Sequence, residues 1–549
     1  MEVVLDVERM AVDEKGVRGF AWPIARDEIL AARDALLPPL VAAARGPAEG
    51  KDVDAELLSL VLVEFVIETI SLYQAHALCR RLRNLGLSIT PPTSGRLLPA
   101  LARGSSPPPS PLLGRLEHGI PTARRPRLSS VHKMWTQLQW NGLSLALVRR
   151  FDRDRDIVAT QRLPLINHHA RSQADFVRFS HLHDWFHPLV ADSMHDSLVR
   201  SSTGAVRGAL AAVRIGFAAG NEEAPDHLVD YLQDWLVRAM TLAGSHLNTV
   251  LQQPERVPRR LWSGTGSGVW NRIMRHATRR LGGTVTGHDH GNGEGLFESA
   301  GSSVIEFESC DEFVTFTPLR ARALRQGVRA EMMVQPRVPS IVSIPSRTEG
   351  ESPFPGASRG RVALRRARRS SGTRTIMYPT IFYPGEFVHP FCPLLPDAVA
   401  VDWHVRLIGR LRAWGYGVVL KPHPGHVATA RTVSSHLGVT VLEDLFERVL
   451  DSCDVILFDY AHTTTFGVAL ATNKPVVFVD WGQEDFTPDA RSKLERRCRI
   501  VRAWFDENNR VHTDWNELRS AIEESPQLTD PAFANSYLVY EYGGARRPG

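Results

Sequence analysis

Short apolar runs alternate with helical patterns from residue 375 onwards. Strand-like runs at residues 375–378, 418–420 and 455–458 each lead through a polar turn into a stretch with helical spacing. In the first such stretch, the apolar residues that share one helical face are Val401, Val405, Ile408 and Leu411. Strands that alternate with helices of this length predict a doubly wound α/β domain with a parallel sheet.

The first half of the chain combines helices with a second series of strands. A long apolar pattern at residues 55–85 predicts a buried helix, and residues 129–251 have mostly helical spacing. From residue 260 the pattern changes to strand, turn and helix, with strands predicted at 260–262, 284–287 and 312–317. We therefore expect a parallel sheet here too, in a domain enlarged by helices.

Length and composition divide the chain into two domains. A chain of 549 residues is too long for a single hydrophobic core. The segment from residue 336 to residue 373 is rich in Pro, Ser, Gly and Arg and shows little periodicity. We predict an N-terminal domain at 1–336, a basic linker at 337–373 and a C-terminal Rossmann-like domain at 374–549.

The composition is that of a soluble globular protein. Hydrophobic residues make up 43% and charged residues 23% of the chain, and no apolar run is long enough to cross a bilayer. The N-terminus lacks the basic-then-apolar pattern of a secretion signal. The five scattered cysteines fit a reducing compartment and neither a disulfide framework nor a zinc-ligand pair. We therefore expect a cytoplasmic protein.

Arginine is concentrated in the predicted linker, although the net charge of the whole chain is only +5. Seven arginines lie in the stretch from Arg359 to Arg374. One interpretation is a solvated linker, and the other is attraction to an anionic membrane surface or a polyanionic acceptor. The second interpretation would make the protein peripheral at the inner face of the membrane. Because no aromatic residues are interleaved with these arginines, we expect no nucleic-acid partner.

A histidine between two prolines follows the predicted strand at 418–420. In the stretch Lys421-Pro422-His423-Pro424, the prolines hold His423 in an extended turn, which excludes an ordinary place inside a helix. Ligands bind beyond the carboxyl ends of the strands in an open parallel sheet. His423 is then either a turn residue that bonds to backbone or, as we favour, a phosphate contact, with Lys421 adding positive charge.

Three hydroxyl side chains follow the predicted strand at 455–458. Thr463, Thr464 and Thr465 stand at the start of a predicted helix. A helix N-terminus attracts anions, and a cap needs only one hydroxyl. Three hydroxyls in succession therefore favour a phosphate-binding helix start, with simple capping as the alternative.

A loop rich in titratable residues follows the predicted strand at 284–287. Residues 288–295 read His-Asp-His-Gly-Asn-Gly-Glu-Gly. A structural turn needs one or two glycines and rarely contains two histidines and two carboxylates. We predict that this loop faces the cleft, with Asp289 or Glu294 as general base or nucleophile and with the histidines His288 and His290 orienting it.

Small residues form another turn, Gly-Thr-Gly-Ser-Gly, at 264–268. Gly264 and Gly266 would allow backbone N–H groups to approach an anion at a helix N-terminus. The spacing is not that of the dinucleotide-binding fingerprint. A plain strand-to-helix turn is an equally good interpretation.

A second group of titratable residues contains His181, His183, Asp184 and His187, and a helix would place His183 and His187 on one face. The spacing matches no strong zinc pattern, and histidine-rich helices are often amphipathic surfaces. We expect no metal, and a histidine-rich metallohydrolase is kept as an alternative function.

Three of these stretches resemble GT-B glycosyltransferases of bacterial surface polysaccharide assembly. They read LKPHPGH at 420–426, DVILFDYAHTTTFGVALATNKPVVFVD at 454–480 and GTVTGHDHGNGEG at 283–295. The pattern is similar to the HP-motif transferases that use CMP-activated sialic acid or Kdo, and to transferases with a "QHGG-x-YG" loop. CDP-glycerol-type polymer transferases show a similar pairing of motifs. The resemblance covers residues 258–482.

The resemblance implies a GT-B fold, in which two Rossmann-like α/β domains face a cleft. It places His423 and Pro424 against the donor phosphate, and Thr463 and Thr464 on the same phosphate. The pair at 290–291 would face the donor sugar from the first domain.

Two carboxylates depart from the family pattern in the first-domain loop. Asp289 stands where the family has a glutamine, and Glu294 stands where an aromatic residue is expected. The resemblance therefore does not decide which carboxylate is catalytic.

The predicted function is glycosyl transfer without a metal or other cofactor. The donor would be a nucleotide sugar, first a CMP-linked ulosonic acid and otherwise a UDP- or GDP-sugar, and the acceptor a glycan or lipid-linked glycan. The alternatives are a CDP-polyol phosphotransferase, the metallohydrolase and a degenerate binding protein without turnover.

Overall fold

The computed structural model describes residues 2–4, 22–46, 52–91, 95–120, 157–161, 163–173, 177–189, 203–291, 293–298, 301–335, 337–345, 373–380, 388, 391, 395–423, 427–482, 484–524 and 530–538. The strands are β1 (Glu2–Val4), β2 (Ser88–Thr90), β3 (Ile157–Ala159), β4 (Val177–Phe179), β5 (Arg260–Ser263), β6 (Thr284–His288), β7 (Glu312–Thr315), β8 (Ser340–Ser343), β9 (Thr375–Pro379), β10 (Gly417–Lys421), β11 (Thr440–Val441), β12 (Val455–Phe458), β13 (Val476–Asp480), β14 (Arg499–Phe505) and β15 (Val511–Thr513). The α-helices are α1 (Arg26–Arg45), α2 (Val53–Asn84), α3 (Leu97–Ala102), α4 (Pro111–His118), α5 (Pro164–Gln173), α6 (Gly204–Ala219), α7 (Asp226–Leu251), α8 (Val269–Arg280), α9 (Pro318–Gly327), α10 (Asp397–Ala413), α11 (Val427–Leu437), α12 (Phe446–Val449), α13 (Thr464–Leu470), α14 (Pro488–Arg497), α15 (Trp515–Glu523) and α16 (Ala532–Tyr537).

The first sheet has six parallel strands in the order β4-β3-β5-β6-β7-β8. Its strands β3 and β4 lie inside the region for which we predicted mostly helix, and that part of the prediction was wrong. Each of the two strands is only three residues long. Such a strand is too short to show the alternation by which strands are detected.

The edge strand β8 lies at the start of the interval 337–373 that we predicted as linker. It pairs in parallel with β7, with Glu312 opposite Ser340. The first sheet therefore extends into the predicted linker, and its boundary at residue 337 was set too early. The serines at both ends of β8 weaken its apolar pattern, because an edge strand needs less burial. Residues 346–372, which hold most of the arginine stretch, lie outside the described residues.

The second sheet has seven strands in the order β11-β10-β9-β12-β13-β14-β15. All neighbours pair in parallel except β14 and β15. The strands predicted at 375–378, 418–420 and 455–458 are confirmed as β9, β10 and β12. From β9 the chain adds β10 and β11 on one side, and it then returns to add β12 to β15 on the other side. The strand order therefore reverses between β9 and β12. Open α/β sheets bind ligands at such a switch point.

A layer of helices covers the first sheet, as predicted for an enlarged domain. Helix α2 contacts α1, α6, α7 and α8, and it is buried on most of its circumference because helices surround it. Its start is fixed by Asp52, whose side chain accepts hydrogen bonds from two N–H groups of the first turn. Within the described ranges, no helix has the length and apolar character required to cross a membrane.

The loops at the carboxyl ends of the two sheets meet. Phe297, in the loop after β6, forms an antiparallel bridge with Phe486, in the loop after β13. The N–H of Glu298 donates to the carbonyl of Asp485 at 2.7 Å, and the N–H of Thr487 donates to the carbonyl of Leu296 at 2.8 Å. Two Rossmann-like sheets thus face each other across a cleft, which is the predicted fold class.

Candidate functional site

A cavity of about 90 Å³ lies where the carboxyl ends of the two sheets face each other. Its wall combines the loops after β5 and β6 and the turn before β7 with residues of the second domain. The lining residues are Thr265, Ser267, His290, Gly293, Glu294, Gly295, Phe297, Gly301, Ser302, Ile305, Glu306, Phe391 and His462. Of the predicted catalytic residues, His290 and Glu294 reach this cavity.

Two buried histidines hold the end of β6. The Nδ1 atom of His169, on α5, lies 2.9 Å from Nε2 of His288, and the His169 ring stacks on Trp262 at a centroid distance of 4.2 Å. Burial lowers the pKa of His169 to about 4, and burial together with His169 holds the pKa of His288 well below its ordinary value. Both rings are therefore neutral near pH 7, and they anchor the loop that follows.

Asp289 is fully buried and its carboxylate is bonded to the protein on both oxygens. Oδ1 accepts the N–H of Gly291 at 2.9 Å. Oδ2 accepts the hydroxyl of Thr315 at 2.8 Å and the guanidinium of Arg320 at 3.1 Å. Asp289 is also absent from the cavity wall. A carboxylate in this environment holds a loop in place, so the geometry does not support the predicted role of Asp289 as base.

Glu294 reaches the cavity from the same loop. It sits between Gly293 and Gly295, whose φ angles of 94° and 80° belong to the left-handed region that favours glycine. The hydroxyl of Ser302 donates to its Oε2 atom. Burial raises the pKa of the Glu294 carboxyl, and the nearby carboxylates of Glu306 and Asp289 raise that pKa further. Glu294 is therefore the carboxyl of this loop that can exchange a proton with a bound ligand.

Glu306 is a second carboxylate in the cavity wall, and no sequence motif indicated it. It lies in the π-helical turn Ser303–Phe307 and is almost completely buried. Its Oε1 atom lies 3.0 Å from the hydroxyl of Thr265, and its Oε2 atom accepts the N–H of Gly266 at 3.1 Å. The Nδ1 atom of His290 lies 3.9 Å from Oε1. These contacts bring His290 beside Glu306.

The turn at 264–268 is filled by the protein itself, which corrects the phosphate role predicted for Gly264 and Gly266. The N–H of Gly266 already donates to Glu306. A Cβ atom at Gly264 would lie 1.9 Å from Oε1 of Gln161, and one at Gly266 would lie 2.1 Å from the carbonyl oxygen of Ile305. Tight packing therefore explains both glycines, and the strand-to-helix turn is the better interpretation.

The three threonines at the start of α13 have different environments. Thr463 is the N-cap, and its hydroxyl accepts the N–H of Thr465 at 3.4 Å and lies 2.9 Å from the Thr465 hydroxyl. Thr464 is exposed and lies against Gly291, since a Cβ atom there would be 3.4 Å from Oγ1 of Thr464. Two of the predicted phosphate contacts thus bond to each other, and Thr464 faces the first-domain loop.

The end of β10 lies at the same edge of the second sheet as the threonines. Lys421 is buried and its Nζ atom donates to the carbonyl of Pro422 at 3.0 Å, and burial lowers the pKa of Lys421. His423 is exposed at this edge. Because β9 lies between β10 and β12, the two strand ends are roughly 10 Å apart. Pro424 lies outside the described residues.

Several residues near the cavity were missed by the sequence patterns. The ring of His462 stacks on Phe297 at a centroid distance of 3.8 Å, which joins the two domains at the cavity wall. Buried Asp459, at the end of β12, accepts hydrogen bonds from Tyr378 and Trp403, and burial raises its pKa to about 7. His462 directly precedes the three threonines, and this position in the sequence could have indicated that it belongs to the site. Phe297 and Glu306 lie in stretches without a motif.

The histidine cluster at 181–187 does not form the predicted helical face. Only a short 3₁₀ turn is present, Leu182–Asp184. The carboxylate of Asp184 accepts the hydroxyl of Ser180 at 2.8 Å and the N–H of His181 at 3.1 Å, so it closes that turn. Among the residues that the structure describes, no three His, Cys, Asp or Glu side chains are grouped to hold a metal ion.

Comparison with known proteins gave one kind of similarity. No protein-family model and no curated protein matches the chain. Among solved structures, the chain is similar to UDP-GlcNAc 2-epimerase of Methanocaldococcus jannaschii in complex with UDP-GlcNAc and UDP. The similarity covers 67% of this chain and 91% of that chain, with 10% sequence identity and a TM-score of 0.34. At this level of similarity, the activity of the epimerase is not transferred to this chain.

Proposed function

We propose that the protein is a metal-independent GT-B glycosyltransferase that moves a sugar from a nucleotide donor to a glycan or lipid-linked glycan acceptor. The observation that carries the proposal is the position of Glu294. Its carboxyl, with a raised pKa, lines a cavity between two sheet edges, and the helix start at Thr464 lies against the adjoining loop. The sequence motifs at the same positions resemble those of the family.

Glu294 acts as the general base in this proposal. It takes the proton of the acceptor hydroxyl while that oxygen attacks the anomeric carbon of the donor. A base works best when its pKa lies near the working pH, and the raised pKa of Glu294 moves it towards that range. Asp289 instead holds the loop through Arg320.

The second domain stabilises the departing nucleotide phosphate. Thr464 and His423 supply donors at the carboxyl edge of the sheet, aimed at negative charge that develops as the bond between sugar and nucleotide breaks. Fixed donors of this kind stabilise the transition state without a metal. The cavity is small for a whole nucleotide sugar, so it serves as the subsite where the donor sugar and the acceptor hydroxyl meet.

The resemblance offers two classes of donor, and the arginine-rich stretch suggests a membrane contact. A CMP-linked ulosonic acid was the first choice and a UDP- or GDP-sugar the second, and the charge of the cavity favours the second, as argued below. We further propose a cytoplasmic protein that meets an anionic membrane surface through the stretch from Arg359 to Arg374.

Ligand-induced stabilisation tests nucleotide binding directly. We expect CMP, CDP, UDP or GDP to raise the melting temperature of the full chain, because a ligand that binds only the folded state stabilises it by mass action. In His423→Ala and Thr464→Ala, the affinity for that nucleotide should fall about tenfold or more, the scale of one lost phosphate contact. Thr463→Ala should instead lower the stability of the free protein by about 1 kcal/mol through the lost cap.

Two outcomes would contradict the proposal. One is that none of the four nucleotides stabilises the protein at millimolar concentration. The other is that the nucleotide binds and the reaction product carries phosphate from the donor, which identifies a CDP-polyol phosphotransferase.

A further inference from the structure

Among the residues that the structure describes, the cavity wall contains carboxyl side chains and no lysine or arginine side chain. Its ionisable side chains are two carboxyls, Glu294 and Glu306, and two imidazoles, His290 and His462. The other lining residues are small, hydroxyl-bearing or apolar, and none of the lining residues is Lys or Arg. A ligand group that enters this space therefore meets carboxyl and imidazole groups and no ammonium or guanidinium group of the lining residues.

The buried arginines near this wall are bonded to the protein. Arg272 donates to the carbonyls of Gly266 and Val304 at 2.9 and 2.7 Å. Arg275 donates to the Ser263 hydroxyl at 2.8 Å and to the Glu306 carbonyl at 3.1 Å. These two guanidiniums are 2% and 0% exposed, so they offer no surface to a ligand in the cavity.

The third buried arginine, Arg320, forms an ion pair with a buried carboxylate. It pairs with Asp289 at 3.1 Å and is 1% exposed. The charge of Asp289 is thus compensated inside the protein. In the part of the chain that the structure describes, Glu306 accepts from a hydroxyl and a backbone N–H and Glu294 accepts from a hydroxyl, so no guanidinium bonds to either carboxyl.

Glu306 is held in this position. Each of its carboxylate oxygens has a partner in the turn after β5, and the π-helical turn around it is buried. A rotation away from the cavity would break both contacts and leave the Gly266 N–H buried without an acceptor, which is unfavourable. The Glu306 carboxyl is therefore a fixed feature of the cavity wall.

We propose that Glu306 selects donors whose sugar is uncharged or carries an amine and rejects donors whose sugar carries a carboxylate. The inference rests on the proposed function, because it takes this cavity as the donor-sugar subsite. Like charges repel strongly where protein replaces water, and an ammonium group in the same place is attracted. The repulsion between the carboxylate of Glu306 and a carboxylate on the sugar makes the site specific for donors without that group. CMP-linked ulosonic acids, whose sugar bears a carboxylate, are then poor donors.

Three donors that share one nucleotide test this selectivity. The dissociation constants of UDP-glucose, UDP-glucosamine and UDP-glucuronic acid are measured by calorimetry on the full chain, with GDP-mannose and GDP-mannuronic acid as a second matched set and CMP-sialic acid as a separate probe. We expect each acidic sugar to bind about tenfold or more weakly than its neutral partner, as one like-charge pair predicts. Glu306→Gln should reduce this difference to about threefold or less.

A control variant and a comparison of donors on the wild-type chain separate the effect of Glu306 from a general effect of charge or of misfolding. Glu298→Gln changes an exposed carboxylate of the same loop and should leave the discrimination unchanged. The comparison of matched donors on the wild-type chain needs no variant, so it stands even if Glu306→Gln does not fold. Equal binding of neutral and acidic donors, or tight binding of CMP-sialic acid, overturns the selectivity and leaves the proposed function intact. If no nucleotide sugar binds at all, the proposed function fails.

Discussion

Asp289 and Glu294 belong to one loop, yet their surroundings give them opposite chemistry. Asp289 accepts three hydrogen bonds, one of them from Arg320, and has no surface on the cavity. Glu294 lines the cavity, and burial together with the nearby carboxylates of Glu306 and Asp289 raises its pKa. The difference between a structural and a reactive carboxylate is thus set by partners that lie far away in the sequence, such as Arg320.

The buried histidine pair makes stability depend on pH. His169 has a pKa of about 4 in the folded protein and 6.5 as its ordinary value. Between these values the unfolded chain binds a proton that the folded protein does not, so stability falls as the pH falls below 6.5. A shift of this size corresponds to about 3 kcal/mol between pH 7 and pH 4.

Urea titrations at several pH values measure this effect. Wild type should lose about 3 kcal/mol more than His169→Gln over that range, since glutamine keeps a donor and does not titrate. The same substitution at the exposed His436 serves as control and should leave the profile unchanged. Parallel profiles for wild type and His169→Gln would show that the pair does not carry the pH dependence.

Among the helices and strands, the sequence predicts those whose apolar residues form a regular local pattern. The strands β9, β10 and β12 have apolar runs bounded by turns, and their order in one parallel sheet follows from their alternation with helices. Strands β3 and β4 were missed, because three residues carry no period and their burial comes from tertiary neighbours. The π-helical turn that places Glu306 has no local pattern either.

Two glycines in the turn after β5, Gly266 and Gly268, differ in how tightly the protein packs around them. A Cβ atom at Gly266 would lie 2.1 Å from the carbonyl oxygen of Ile305 and 2.6 Å from Arg275, and one at Gly268 would meet nothing within 4 Å. Gly266→Ala should therefore lower the free energy of unfolding by about 1–3 kcal/mol, as overpacking does. Gly268→Ala should change it far less.

Chemical denaturation of the two glycine variants without ligand provides the measurement. If Gly266→Ala were as stable as Gly268→Ala and lost only nucleotide affinity, the turn would be a ligand-binding element as first predicted. A loss of stability without ligand would support the packing role.

At the scale of the whole molecule, contacts between distant parts of the chain build the cleft. The N–H of Trp22 donates to the carbonyl of Asn508 at 3.0 Å, and the side chain of Asn509 donates to the carbonyl of Trp22, 487 positions away, at 2.7 Å. The bridge between Phe297 and Phe486 closes the cleft at the cavity. A pattern of local spacing cannot predict such pairs, so the cavity wall was only partly predicted. The structure has His290 and Glu294 in the cavity wall and Thr464 against Gly291 of the first-domain loop.

The rate of sugar transfer by the Glu294→Gln variant tests the proposed role of Glu294 as general base most directly. Nucleotide release is measured with the donor that binds best and a lipid-linked glycan fraction as acceptor, for wild type, Glu294→Gln and Asp289→Asn. We expect Glu294→Gln to keep the donor affinity of wild type and to transfer about 100-fold more slowly, the scale of a lost general base. Asp289→Asn should be less stable and still transfer at a rate close to wild type per folded molecule. Wild-type transfer by Glu294→Gln, or abolished transfer by a folded Asp289→Asn alone, would contradict the account.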